Sequence, residues 1–174
     1  VAKQPALKPQ DLIVALKLGA NATRDFTFSS LAQELHMSVS ETHASVRRAL
    51  LSRLIAMEDG RMRANHVSLE EFVFHGVSYA FPAAIGSIAR GIPTASSGPV
   101  LAKYFAKNEV DRFVWPHASG EVRGTALQPL YPSVPAAVLD DPKFYEVLTI
   151  VDAVRVGTAR DRELAEIEFR KRLL

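Results

Sequence analysis

The sequence predicts an α+β protein, mainly α with small β-hairpins, and three observations carry that prediction. Apolar residues recur at helical spacing in several stretches that open on capping residues. Asp59-Gly60 separates two short runs, the signature of a two-residue hairpin turn. Between residues 83 and 99, glycine, proline and serine crowd together and break any periodicity. The chain therefore divides into 1–82 and 83–174, the second part running from an irregular connector to a C-terminal helical pair.

Taken in order, Lys8-Pro9-Gln10-Asp11 opens the first helix, because proline suits a first turn and an acidic residue there suits the dipole. Leu12, Ile13, Leu16 and Leu18 supply its apolar content, and Gly19 is the expected stop. A second helix begins near Ser29 or Ser30, with Ser30 and Gln33 as a capping box and Leu31, Ala32 and Leu35 as its stripe. Ser38 and Glu41 form another box, so a third helix follows almost at once. Its Thr42, Val46, Ala49 and Leu50 share one face, while Glu41, Ser45, Arg47, Arg48 and Ser52 point largely elsewhere. Residues 54–57, 58–61 and 62–64 then read as strand, turn and strand. Ser68 and Glu71 are a third box, opening a helix through Phe72, Phe74, Val77 and Tyr79 that ends at Pro82.

Beyond the connector, in which Ile85 and Ile88 add at most a short turn, Val100 to Lys107 reads as a helix. Arg112–Trp115 and Glu121–Leu127 read as the strands of a second hairpin around Pro116–Gly120. Pro129, Pro132 and Pro135 mark irregular chain. Asp141-Pro142 starts a strong helix through Phe144, Val147, Leu148, Val151 and Val154 that stops at Gly157. Thr158 and Asp161 start the last helix, apolar at Leu164, Ala165, Ile167, Phe169 and Leu173.

Composition excludes several classes of function. The 174 residues contain no cysteine, which removes disulfides, thiolate metal sites and cysteine nucleophiles and fits a reducing cytoplasm. No apolar run approaches the ~18 residues of a membrane span, and no secretory signal is visible at the start. His36, His43, His66, His75 and His117 lack metal-binding spacing. Glu70-Glu71 and Asp140-Asp141 sit at helix starts, where carboxylates serve as caps. The stretch Gly91 to Gly98 lacks the Lys-Ser/Thr ending of a phosphate loop. Trp115-Pro116 with Tyr104, Phe105 and Phe113 lines either a ligand pocket or an aromatic core. No catalytic residue, metal ligand or cofactor is expected, and the chain does not read as an enzyme.

The net charge is only +2, but its distribution is uneven. Up to His66 there are nine lysines and arginines against six acidic residues, and Arg47, Arg48, Arg53, Arg61 and Arg63 fall in one short stretch. Clustered arginine is able to neutralise phosphate, although a solvated helix face would look the same.

The text from Leu31 to Ile55 closely resembles the helix-turn-helix of MarR-like winged-helix regulators. It has their Leu-Ala-x-x-Leu helix, a Met-Ser-x-Ser turn, paired basic residues in the next helix and a closing Leu-Ile. The likeness covers roughly Leu7 to Ala64, with two departures: Arg53 stands where glycine is common, and Ala49 where a larger apolar residue is usual. The resemblance implies sequence-specific binding of double-stranded DNA in transcription regulation, with a recognition helix at about 38–53 and a wing near 58–63. It places Ser38 and Ser40 near phosphates. Glu41, His43, Ala44 and Ser45 would face bases, and Arg47 and Arg48 a base edge or phosphate. Arg61 and Arg63 would lie over the adjacent backbone or minor groove. The alternative is a protein-interaction adaptor, such as an antitoxin-like partner. The terminal helices either form a homodimer interface or complete the chain's own core, and no effector is identifiable.

Overall fold

A computed structural model describes residues 5–105 and 112–173, and its secondary structure is α+β. Helix α1 (Pro9–Ala20) begins with Pro9 and with the Asp11 carboxylate accepting the Lys8 N–H at 2.8 Å. Every residue from Asp11 to Ala20 is buried, so α1 is a central strut rather than a surface helix. Gly19 does not end it. A side chain there would collide with Leu173, so this glycine admits the end of the last helix against α1.

Helix α2 (Phe28–Glu34) is capped by Thr27, whose hydroxyl accepts from the Ser30 N–H at 3.1 Å, in place of the expected Ser30–Gln33 box. It closes with His36 in the left-handed region (φ 52°), where the Met37 N–H reaches back to the Ala32 carbonyl. Helix α3 (Val39–Leu51) takes Ser38 as its cap, as expected, with the Glu41 N–H donating to the Ser38 hydroxyl at 3.1 Å. It ends in the same motif as α2. Arg53 has φ 59°, its N–H bonds the Leu50 carbonyl, and the Leu54 N–H bonds the Ala49 carbonyl. The position at which the sequence departs from a common glycine is thus a left-handed one, held here by an arginine.

Strands β1 (Ile55–Glu58) and β2 (Arg61–Ala64) pair antiparallel, from Ile55 opposite Ala64 to Glu58 opposite Arg61. Asp59 and Gly60 both have positive φ, the turn that the Asp-Gly pair predicts. Helix α4 (His66–His75) is capped by Asn65 rather than Ser68, and Gly76 separates it from the short α5 (Val77–Ala80).

The second part departs most from expectation. Residues read as a connector form a ten-residue strand, β3 (Ile85–Thr94). Strands β4 (Phe113–Pro116) and β5 (Val122–Leu127) do form, but not as a hairpin. Each pairs antiparallel with β3, and they meet each other in parallel, so the three strands close on themselves. The glycines explain why this strand has the composition of a loop. A side chain on Gly91 would strike the Trp115 carbonyl, and one on Gly120 the Gly91 backbone, so these positions permit close backbone approach rather than turns. The helix expected from Val100 to Lys107 is a single 3-10 turn, Ala102–Tyr104; residues 106–111 lie outside the described ones.

Helix α6 (Val134–Ala137) leads to α7 (Pro142–Val156) and α8 (Ala159–Leu173). Asp141 caps α7 through the Phe144 N–H at 3.0 Å, and Thr158 with Asp161 caps α8. Residues Val147 to Val154 are buried without interruption, and α7 packs on α1, α4, α5, β3 and α8. The C-terminal pair therefore completes the chain's own core, a single apolar cluster running from α1 to Leu173. Lys17 ties the two parts: its buried ammonium lies 2.6 Å from Asp141 and 2.8 Å from Glu34. No helix of the described residues is long and apolar enough to cross a membrane.

Candidate nucleic-acid interface

Helix α3 divides its side chains by burial. Thr42, Ser45, Val46 and Ala49 are buried, facing inward. Arg48 follows them. Its Nε donates to both Asp11 oxygens at 3.0 and 2.9 Å, and its Nη2 donates to Asp11 Oδ1 at 2.8 Å, Glu41 at 3.0 Å and Ser45 at 3.2 Å. The Asp11 side chain is wholly buried, so Arg48 is the counter-ion that α1 requires. Gln10 donates to Glu41 at 2.9 Å, and this bond, with that from Arg48, holds Glu41 below the usual carboxylate range despite its partial burial.

Three of the expected DNA-facing residues are therefore placed otherwise. Ser45 is fully buried, while Arg48 and Glu41 bind each other and α1. The physical reason is the helical period: 45 and 48 fall on the same stripe as 42 and 49, and a buried aspartate on α1 attracts the arginine there.

The outward face carries Ser38, Ser40, His43 and Arg47, all exposed, with Ala44 half-buried. Among the described residues no ion pair or hydrogen bond engages the Arg47 or His43 side chains. Phe28 of α2 joins Ser40, His43, Ala44, Val46, Arg47 and Leu50 in lining an open groove of about 370 Å³. The His43 ring lies nearly parallel over Phe28, with centroids 3.6 Å apart and planes at 16°. In sequence Phe28 gives no site signal, because an aromatic at a helix start reads as core.

On the hairpin, Arg61 is exposed and reaches Asp25 at 3.3 Å. Arg63 is partly covered, donating to Asp25 at 2.6 Å and to the Arg24 carbonyl at 3.2 Å. Arg63 draws the Asp25 carboxyl below its usual range, aided by Arg61. Asp25 is therefore a second site residue the sequence did not reveal; a lone aspartate in a loop carries no periodic signal. Arg53 adds an exposed cation between α3 and the hairpin.

The aromatic residues of the second part differ in burial, Trp115 lying in the core while Tyr104 is exposed and Phe105 and Phe113 are half-buried. Trp115 is buried with its Nε1–H donating to Asp152 at 2.6 Å, and the Tyr104 hydroxyl donates to Glu168 at 2.6 Å. Among the described residues no group of acidic or imidazole side chains is arranged to hold a metal ion.

No family model, curated protein or solved structure matches this chain.

Proposed function

We propose that this chain is a duplex DNA-binding transcriptional regulator of the MarR-like kind. In this reading α2, α3 and the β1–β2 hairpin act as a winged helix-turn-helix. The observation that carries the proposal is α3 itself. It begins one short turn after α2 and has its inward stripe pinned to α1. Ser40, His43 and Arg47 remain outward, their side chains without hydrogen-bond or ion-pair partners among the described residues. A rigid helix with free donors on its outer face is what major-groove reading needs. The hairpin follows α3 within four residues and supplies Arg61, and Ser38 and Ser40 stand at the helix start, where backbone N–H groups attract phosphate.

A homodimer would present two copies of α3 to adjacent half-sites. Because α7 is enclosed in the chain's own core, such a pair would use another face. A second reading, docking of another protein, draws support from Leu51 and Met57, which are 64% and 52% exposed beside the same face.

Selection of bound duplexes from a random pool, followed by affinity measurement across salt concentrations, tests the proposal. Arg47→Ala is expected to weaken binding and reduce the salt slope by about one phosphate contact. Failure to bind any duplex at low salt would favour the protein-docking reading.

A further inference from the structure

We propose that His43, held by its stack on Phe28, is a DNA-contacting residue of this interface and makes DNA affinity rise as pH falls. The inference rests on the DNA-binding reading above. A histidine usually has its ring plane set by a hydrogen bond through one nitrogen. Here the plane is set instead by the aromatic face of Phe28, 3.6 Å away at 16°, and among the described residues neither ring nitrogen is engaged. Both stay able to donate once the ring is protonated. A ring already held in one plane loses less freedom when it docks than a flexible side chain does.

The surroundings decide which state each partner favours. An imidazolium is stabilised over an aromatic face. Among the described residues the groove is lined by α2 and α3, and its one other titratable group is Arg47, one turn further on. The carboxylates of these two helices are engaged elsewhere: Glu34 with Lys17 and Arg24, and Glu41 with Gln10 and Arg48. No acidic side chain lines the groove, so no carboxylate there competes with a duplex for the ring N–H groups. The acceptor atoms of a duplex, whether a purine base edge or a phosphate oxygen, favour the doubly protonated ring, which donates from both nitrogens. Binding then takes up a proton, and by linkage a proton promotes binding.

The test uses the full chain, a labelled duplex recovered from a random pool and an unrelated duplex of equal length, at constant ionic strength. Between about pH 8 and about pH 6 the affinity of the unsubstituted chain should rise roughly tenfold. His43→Gln, which keeps a donor but loses the charge, should flatten that rise. Phe28→Tyr should behave as the unsubstituted chain, whereas Phe28→Leu should weaken binding and shallow the pH response, with thermal melts confirming that each folds. A rise confined to the recovered duplex assigns a base edge as the acceptor, and an equal rise on both assigns a phosphate. A flat profile, or a slope that survives His43→Gln, overturns the inference while the DNA-binding reading stands. Absence of binding to either duplex at every pH overturns both.

Discussion

Arg47 and Arg48 are neighbours in sequence and opposites in environment. The Arg48 guanidinium forks onto a carboxylate with no exposure to water, whereas Arg47 projects into solvent. Removing one member of a buried pair leaves the other charge uncompensated, so Arg48→Ala is expected to cost about 3–5 kcal/mol of stability in a denaturant titration. Arg47→Ala should change stability by less than about 0.5 kcal/mol. Equal losses from the two substitutions would refute this assignment. Arg53 offers the reverse test. Its left-handed backbone (φ 59°) suits glycine better than arginine, so Arg53→Gly should raise stability by about 0.5–1 kcal/mol, read as an increased denaturation midpoint. The sequence showed Arg53 as an oddity against a common glycine; the positive φ supplies the reason.

At the scale of elements, the hairpin is tethered as well as turned. Asp25, in the loop before α2, holds Arg61 and Arg63 and so competes with any phosphate that approaches them. Asp25→Asn should therefore tighten duplex binding several-fold and steepen its salt dependence, with little change in melting temperature, because the pair is exposed. Unchanged affinity would mean that the hairpin does not touch DNA. The turn of this hairpin was legible in Asp59-Gly60, since few other pairs adopt positive φ twice in succession. Strand β3 was not legible. Its glycines and Pro93 imitate loop composition, and their purpose appears only once β4 and β5 lie close against them. The same holds for the second hairpin expected at 112–127, whose strands each pair antiparallel with β3 and meet each other in parallel.

Across the whole molecule, charges bridge parts distant in sequence. Lys17 of α1 binds the cap residue of α7, Asp141, which also accepts from Asn21 at 2.8 Å. Asp152 of α7 gathers the Thr94 hydroxyl, the Trp115 indole and the Arg155 guanidinium, joining the three-stranded sheet to the helices. Near the C-terminus, Glu168 lies buried among Tyr104, Arg172, Lys171 and Lys103. Burial opposes its ionisation, but the hydrogen bonds from Tyr104, Arg172 and Lys171, with the nearby charge of Lys103, lower it from 4.5 to about 2. A depressed folded value means stability that is complete above the ordinary value and is lost as pH falls toward about 2. Glu168→Gln should accordingly cost on the order of 2 kcal/mol at neutral pH, a difference that disappears on acidification through that range. A difference constant with pH would show that packing, not charge, is responsible.

By itself the sequence determined the local events: the starts of α1, α3, α7 and α8, the Asp-Gly turn, and the apolar stripes of α3 and α7. Each follows from interactions among residues a few positions apart, which period and capping chemistry encode directly. It also determined that α3 would carry arginines. Which arginine faces outward was decided by tertiary structure, because the buried carboxylate that attracts Arg48 lies 37 residues away on α1. Tertiary structure likewise paired β4 and β5 each with β3, and it enclosed α7 in the chain's own core. Contacts between distant residues leave no period in the chain, so these outcomes emerge only when the elements pack.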